Sequence, residues 1–496
     1  MEAIMAREGK LFSNTLLLGV SAAMAKTVSF LLLPFYTAAL SPDEFGVCEI
    51  LVSTAILMIS LFSFYAPQAT FRFLAQGERD AVMAGLLLLG SGALLVTFSI
   101  PLWGMIPVLR PFRGELYLYV IFSLAHSFVT HILRADGKFF LFATQQLFCT
   151  LSSALFQILF LRVWRMGSAG YVLGIAMGDA VTTLSLLPVI APLFLENRRI
   201  SIKCGRKMLR FALPLLPGAL LWWGMNVADR YILLYFHGAS ATGLYAAAGR
   251  FPVLLTFVAS VFLEAWHYSA LQRQGESSAV YFGRIYALIL PVYLALGGVV
   301  MAVSPLLVKV FLSPAYANAV QIVGFLLLGA VCAGMANFLD SVYTLKMRTV
   351  SSLVGTALAV ALHASASFLL IPSLGALGAA MASAFGFLTL FMIRCVHTIR
   401  FLKFPRLAKS VSLSLLFLLA GATSLAMDLR FLATVIALIS VLPFAKRLCF
   451  SVSFFSARLR AFSACLLKRK NGLKKREKYD KINVSSARMR DREEDI

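Results

Sequence analysis

The sequence predicts an all-α integral membrane protein of about fourteen transmembrane helices. Two observations carry that prediction. Of 496 residues, 60% are hydrophobic and only 14% charged, against about 45–50% apolar and about 25% charged in a soluble domain. The apolar residues also fall into repeated continuous runs of about twenty, the length that spans a bilayer core as a helix, and not into the shorter alternating segments of a membrane barrel. A helix satisfies its own backbone polar groups, which lipid cannot do.

The first run, about residues 11–40, follows a short charged start containing Arg7 and Lys10. A removable signal peptide has an apolar stretch of about 7–15 residues, so this longer run reads as an uncleaved span, even though Ser21 to Ala25 (SAAMA) resembles a cleavage site. Five more runs follow at about 45–74, 82–109, 116–134, 139–161 and 168–195. A second set of six lies at about 208–236, 240–271, 280–312, 316–345, 350–371 and 374–399, and two final runs at about 408–428 and 431–454.

Lys and Arg in the short loops set the orientation. With the N-terminus in the cytoplasm, the loops on that side hold Arg134 and Lys138, the group Arg198, Arg199, Lys203, Arg206, Lys207 and Arg210, then Lys346 and Arg348, and Arg400, Lys403, Arg406 and Lys409. The opposite loops hold fewer bases, and several (SPDEFG, HGAS, PSLG) hold none. Both termini are therefore expected inside. On this reading the net charge of +23 is mostly a topology signal, not a nucleic-acid interface. The tail from Lys468 to Lys481 is basic enough to attract anionic head groups, but reads first as a solvated, disordered segment. External loops of no more than about ten residues leave little surface for an extramembrane enzyme, which places the function inside the bilayer.

Internal matches recur at a nearly constant offset. Lys10 and Lys207 precede the first and seventh runs, and Gly46 and Gly243 follow them, both 197 residues apart (207 − 10 and 243 − 46). AQGE (Ala75 to Glu78) matches RQGE (Arg273 to Glu276), and GYVLGIAM (Gly170 to Met177) matches LGALGAAM (Leu374 to Met381). Six runs separate the copies, so both halves face the same way, as in parallel repeats related by an axis along the membrane normal. The expected organisation is an N-terminal six-helix bundle (1–197), a basic linker (198–210), a C-terminal six-helix bundle (211–403), two extra helices (404–455) and a basic tail (456–496). The seam between the bundles is the natural substrate path.

Charges inside the runs are costly and so point to a cavity or a partner. Lys26 lies about fourteen residues from the outer end of its run, which at about 1.5 Å per residue is roughly 21 Å deep. Asp229 and Arg230 lie about seven residues from the outer end of run seven, and Arg250 about seven into run eight. Arg72 is near the inner end of run two. Bases outnumber acids near runs one, two, seven and eight. A wet cavity there would favour an anionic cargo, because Arg binds phosphate through paired hydrogen bonds and Lys as a point charge. Two blander readings compete: a neutral bridge from Asp229 to Arg230 or Arg250, and Arg72 as a membrane-edge anchor. Asp229, Asp179 and Glu264 are candidates for ion coupling, with Asp340 beside them; His126, His131 and His363 read as packed or interfacial. Pro34, Pro214, Pro217, Pro252, Pro291 and Pro305 interrupt runs and kink them, by removing a hydrogen bond.

The seven cysteines, Cys48, Cys149, Cys204, Cys332, Cys395, Cys449 and Cys465, are scattered without a CxxC pair, so neither a disulfide framework nor a zinc site is suggested. No P-loop pattern is present, which excludes direct use of ATP by that motif. No cofactor is expected.

KLFSNTLLLG…FLLLPFYTAALSPDEFG (Lys10 to Gly46), DRYILLYFHGASATGLYAAAGRFP (Asp229 to Pro252) and FLEAWHYSA (Phe262 to Ala270) resemble the bacterial polysaccharide flippases, the O-antigen and capsule repeat-unit translocases of the multidrug/oligosaccharidyl-lipid/polysaccharide exporter superfamily. The resemblance covers roughly residues 10–450. It implies a V-shaped pair of six-helix bundles, alternating access, and an undecaprenyl-diphosphate-linked glycan as cargo. It further implies membrane lipids, a polysaccharide polymerase and glycosyltransferases as partners, and the bacterial inner membrane as location. Basic cavity residues hold the diphosphate in that family, and by position Lys26, Arg72, Arg230 and Arg250 take the role here. His267-Tyr268 stands where many members have a proline after the Trp. The drug/cation antiporters and the peptidoglycan-precursor flippases of the same superfamily are the alternatives. The former favour acidic, aromatic pockets, unlike this base-biased centre.

Overall fold

The computed structural model describes residues 2–196, 200–256, 277–345, 348–398 and 408–444. Among them are helices and no strands. The helices are α1 (Glu2–Leu31), α2 (Leu33–Ala39), α3 (Pro42–Phe62), α4 (Ala66–Ala75), α5 (Ala81–Trp103), α6 (Arg113–Ala135), α7 (Phe139–Ile158) and α8 (Gly167–Glu196). There follow α9 (Ile202–Ala212), α10 (Leu216–Ala248), α11 (Ser277–Phe311), α12 (Val320–Leu345), α13 (Thr349–Thr398), α14 (Ala408–Ala426) and α15 (Arg430–Ile439). The chain divides into two units, Met1–Pro443 and Phe444–Ile496. Nearly all of the second, with the basic tail, lies outside the described residues, as does the RQGE segment.

Among the described residues, ten helical segments are long and apolar enough to cross a membrane. Two features relate this number to the expected fourteen runs, of which 240–271 and 431–454 extend beyond the described residues. First, Ile202–Thr256 and Val350–Thr398 run 55 and 49 residues, more than twice what a core of about 30 Å needs at about 1.5 Å per residue. Each is helix on both sides of one glycine with left-handed backbone, Gly238 (φ 79°) and Gly375 (φ 55°), a conformation glycine adopts without a steric penalty. The two bends are neighbours: the His237 Nε2 lies 2.8 Å from the carbonyl oxygen of Ile371. Second, the apolar helices Ser410–Ala426 and Arg430–Ile439 are short.

Local chemistry explains the element ends. The SPDEFG segment starts α3 with a capping box: Ser41 Oγ accepts from the Glu44 amide at 3.2 Å and the Ser41 amide donates to Glu44 at 2.9 Å, with Pro42 in the first turn. Pro34 sits in the first turn of α2, just past the break from α1. Pro214 and Pro217 stand in a 3-10 turn and the first turn of α10, so they begin that span, where proline loses no helical hydrogen bond. Pro291 and Pro305 do lie inside α11. The basic stretch joining α8 to α10 is itself a helix, α9. It buries Cys204, Met208 and Ala212 against Ala69, Ala81 and Ala84, while Lys203, Arg206, Lys207 and Arg210 stay exposed.

The segments around Gly46 and Gly243 meet each other. A Cβ added at Gly46 would sit 2.0 Å from the Ala239 carbonyl oxygen, and one at Gly243 would sit 1.8 Å from that of Pro42. Gly46 and Gly243 are 197 residues apart (243 − 46), and so are Pro42 and Ala239 (239 − 42). The contact is therefore reciprocal under the sequence repeat, as a two-fold exchange of α3 with the second arm of α10 requires. On the same side, Tyr316 Oη donates to the Leu40 carbonyl at 3.0 Å, and Phe30 packs on Phe311 with ring centroids 4.8 Å apart. The seam is shut at the end of the spans far from α9.

Gly46→Ala and Gly243→Ala should each lower thermal stability of the purified protein, by about 1–3 kcal/mol as overpacking typically costs. Gly90→Ala, where an added Cβ meets nothing within 4 Å, should leave it unchanged or raise it by about 0.5–1 kcal/mol. Equal melting temperatures for G46A and G90A would contradict the close approach.

Candidate functional site

The site begins with an acid on α3. Glu49 lies one turn beyond Phe45 and its side chain is 8% exposed. It bonds two arginines from the other half of the chain: one oxygen takes Arg230 Nη1, and the other takes Arg250 Nη2 at 2.9 Å. Further along the same helix, Ser53 Oγ accepts from Arg230 at 3.2 Å, the Ser53 carbonyl accepts from Trp223 Nε1 at 3.0 Å, and Thr54 pairs with Tyr231 at 2.7 Å. Glu49 and Ser53 are four apart, so they share one helix face, and α10 answers with Trp223, Arg230 and Tyr231. The Arg250 guanidinium also lies 5.7 Å from the Phe45 ring centre.

Successive helix positions point about 100° apart, and this separates the adjacent charges of α10. Arg230 turns to α3, whereas Asp229 turns into its own half. Asp229, 1% exposed, accepts from Tyr245 Oη and stands 4.0 Å from His363 Nε2. Neither of the two expected neutral bridges, Asp229 to Arg230 or to Arg250, is the pairing observed; Glu49 takes both arginines.

Beside this network is a cavity of about 370 Å³, lined among others by Lys26, Trp222, Asn226, Arg230, Tyr245 and Phe387. Lys26 and Arg230, drawn from opposite halves, thus face one space. Lys26 has no carboxylate within salt-bridge distance among the described residues. Arg250 is behind the wall, next to the lining residues Gly249 and Pro252. Arg72 lies apart: it is exposed on α4 with its guanidinium 4.4 Å from the Phe211 ring centre, a packing anchor where α9 docks.

The other acids are elsewhere. Asp179 on α8 accepts from Ser123 on α6 and from Cys149 Sγ on α7 at 3.2 Å, and lies 3.2 Å from His126 Nδ1. His126 Nε2 meets Gln145 Oε1 at 3.0 Å. The ligand-type atoms of His126, Cys149 and Asp179 lie within 4.8 Å of one another, a donor set that zinc accepts; hydrogen bonds among the cluster already use these atoms. Asp340 pairs with Arg394 at 3.0 Å and accepts from Ser352 at 2.6 Å. His131 Nδ1 meets the Ser127 carbonyl at 2.7 Å. Glu264 lies outside the described residues.

Sequence reading missed the central place of Glu49, the aromatic wall of Trp222, Tyr245 and Phe387, and the buried Arg394. Glu49 was detectable as a lone acid inside run two, and Arg394 as a lone base inside run twelve. Nothing in their spacing names their partners.

No protein-family model matches the chain, and no curated protein matches it. Solved structures do. A multidrug-resistance MATE family transporter of the MOP superfamily, in an inward-facing conformation, is 14% identical over 78% of this chain and 97% of its own, with a TM-score of 0.62. The lipid II flippase MurJ, in an inward closed conformation, is 13% identical over 87% of this chain and 99% of its own, with a TM-score of 0.63. A MOP superfamily transporter from Pyrococcus furiosus Vc1, described by the reverse polarity of its binding pocket, is 13% identical over 79% and 95%, with a TM-score of 0.53. The chain is an all-α, multi-pass membrane protein with the fold of the MOP superfamily transporters.

Proposed function

We propose that the protein is a flippase that carries undecaprenyl-diphosphate-linked oligosaccharide repeat units from the cytoplasmic to the outer leaflet of a bacterial inner membrane, for surface polysaccharide synthesis. The observation that carries this reading is the sign of the cavity. Lys26 and Arg230 line it, and among the described residues no Asp or Glu does. A desolvated cationic wall suits a diphosphate, which accepts charge-assisted hydrogen bonds from both residue types. The volume, about 370 Å³, is that of a small-molecule site, for which about 300–1,000 Å³ is usual. A head group fits such a volume, which leaves glycan and polyprenyl chain outside it. Trp222, Tyr245 and Phe387 add apolar faces on which a sugar can stack.

Alternating access follows from the seam. With the basic α9 at the cytoplasmic surface, the closed end is the outer one, and outward opening requires Glu49 to part from Arg230 and Arg250. A diphosphate that reaches Arg230 competes with Glu49 for the same donors, which links cargo binding to release of the seam. A polymerase and glycosyltransferases are the partners this role requires. A multidrug exporter would want acids on the cavity wall to hold cationic drugs, and the wall has none among the described residues. A peptidoglycan-precursor flippase shares the diphosphate chemistry, and the resemblance to MurJ in fold keeps it as the second reading.

Lys26→Ala and Arg230→Ala, each at matched protein level, should cut surface polysaccharide about tenfold or more, the effect of losing one charge-assisted hydrogen bond of about 1.5–3 kcal/mol, and Arg250→Ala should lower it by taking a partner from Glu49. Drug resistance should not change. Normal polymer in all three variants would overturn the cationic-cavity reading, and loss of viability with normal surface polymer would favour the peptidoglycan precursor.

A further inference from the structure

We propose that Asp229 and His363 form a proton-binding dyad inside the C-terminal half, reached from the cavity through Tyr245. This goes beyond the transport reading and does not rest on it. Three buried polar atoms carry the proposal: Asp229 Oδ1, His363 Nδ1 and His363 Nε2 have no hydrogen-bond partner among the described residues. The two side chains are each 1% exposed, and their nearest atoms, Asp229 Oδ2 and His363 Nε2, are 4.0 Å apart. That distance is too long for a hydrogen bond and about 1 Å from making one.

Buried polar groups are almost always paired, because an unpaired one has lost water and gained nothing. A proton answers the deficiency. With one bound, the pair is an imidazolium against a carboxylate, or a carboxylic acid against an imidazole. A neutral imidazole has one N–H, so without the proton one ring nitrogen and the carboxylate oxygens are acceptors; either protonated form adds one donor to the pair. A hard cation answers the deficiency poorly, since such ions require about six or more oxygen ligands, and among the described residues Asp229, Tyr245 and the nearby Ser383 supply fewer beside an imidazole. The proton has a route. Tyr245 lines the cavity and its hydroxyl donates to Asp229, so one side chain touches both the aqueous space and the dyad.

Helices pack closely around the dyad. Asp229 is on the first arm of α10, Tyr245 on the second, and His363 on the first arm of α13. The second arm of α13 brings Ser383 and Gly386. A Cβ added at Gly386 would sit 2.7 Å from His363 Cβ and 3.0 Å from Met225, so helix backbone closes that side. Among the described residues, the charged and titratable groups that face Asp229 are Tyr245 and His363; Arg230, the next residue, has its guanidinium turned to Glu49. Binding of a proton would draw the first arm of α13 toward the first arm of α10, next to the wall that holds Asn226 and Arg230.

The test uses the full chain in lipid nanodiscs and needs no cargo. Trp222 and Trp223 lie on the same arm as Asp229, about two turns away, and report on it by fluorescence. Between about pH 8 and about pH 5, the range where histidine titrates, the unsubstituted protein should show a one-proton step. His363→Gln and Asp229→Asn should abolish it, His126→Gln should keep it, and sodium added at constant pH should not reproduce it. His363→Asn replaces H363Q if that variant does not purify as a single species. The proposal is overturned if there is no step, if the step survives in the Asp229 and His363 variants, or if sodium alone produces it; the sodium arm requires no substitution.

Discussion

Glu49 is the constraint around which the seam is arranged. One carboxylate, nearly sealed from solvent, serves two guanidiniums that come from α10 and from the turn beyond it. Removing one partner of a buried ion pair leaves an uncompensated charge and typically costs about 3–5 kcal/mol. In a bilayer the penalty for a stranded charge is of similar size, about 2.5–3.5 kcal/mol on insertion scales. The three residues therefore stay together unless another charge takes a place among them. Their sum is one positive charge, and Lys26 across the cavity adds a second. The positive centre is smaller than a count of bases suggests, because Glu49 neutralises one arginine, and it is adjustable for the same reason.

The pairing stands in line with the close approach at Gly46 and Gly243. The capping box at Ser41 starts α3, Gly46 admits the backbone of α10, and Glu49 follows within one turn on the way to Ser53 and Thr54. Backbone contact at the end of the seam and polar contact toward its middle thus lie along one helix. Parting of the halves at that end must strip both, and the polar part alone is open to competition from an anion.

The helical plan was legible because it rests on patterns within short stretches: apolar runs, caps, prolines and glycines. The 197-residue offset was legible too, and its glycines touch. Lys26 and Arg230 were both singled out as charges inside apolar runs, and they line one cavity. The ion pairs were not legible. Glu49 finds Arg230 and Arg250 across 181 and 201 residues, and an acid's choice among several bases depends on helix rotation, which apolar runs buried on most sides do not reveal. For the same reason Asp229 read as a partner for its neighbours, while 100° of rotation sends it to Tyr245 and His363. Arg72 has the right residue type but lies exposed on α4, with its guanidinium against Phe211 of α9; the basic stretch had read as a linker and not as a docked helix.

The central claim is that Glu49 and an anionic head group compete for the same arginine. Its most direct measurement is the dissociation constant of a short polyprenyl diphosphate for the purified protein and for Glu49→Gln. The account predicts tighter binding by E49Q than by the unsubstituted protein, with the gain lost when Arg230→Ala is added. Binding by E49Q that is equal or weaker, in a protein that remains folded, would contradict it.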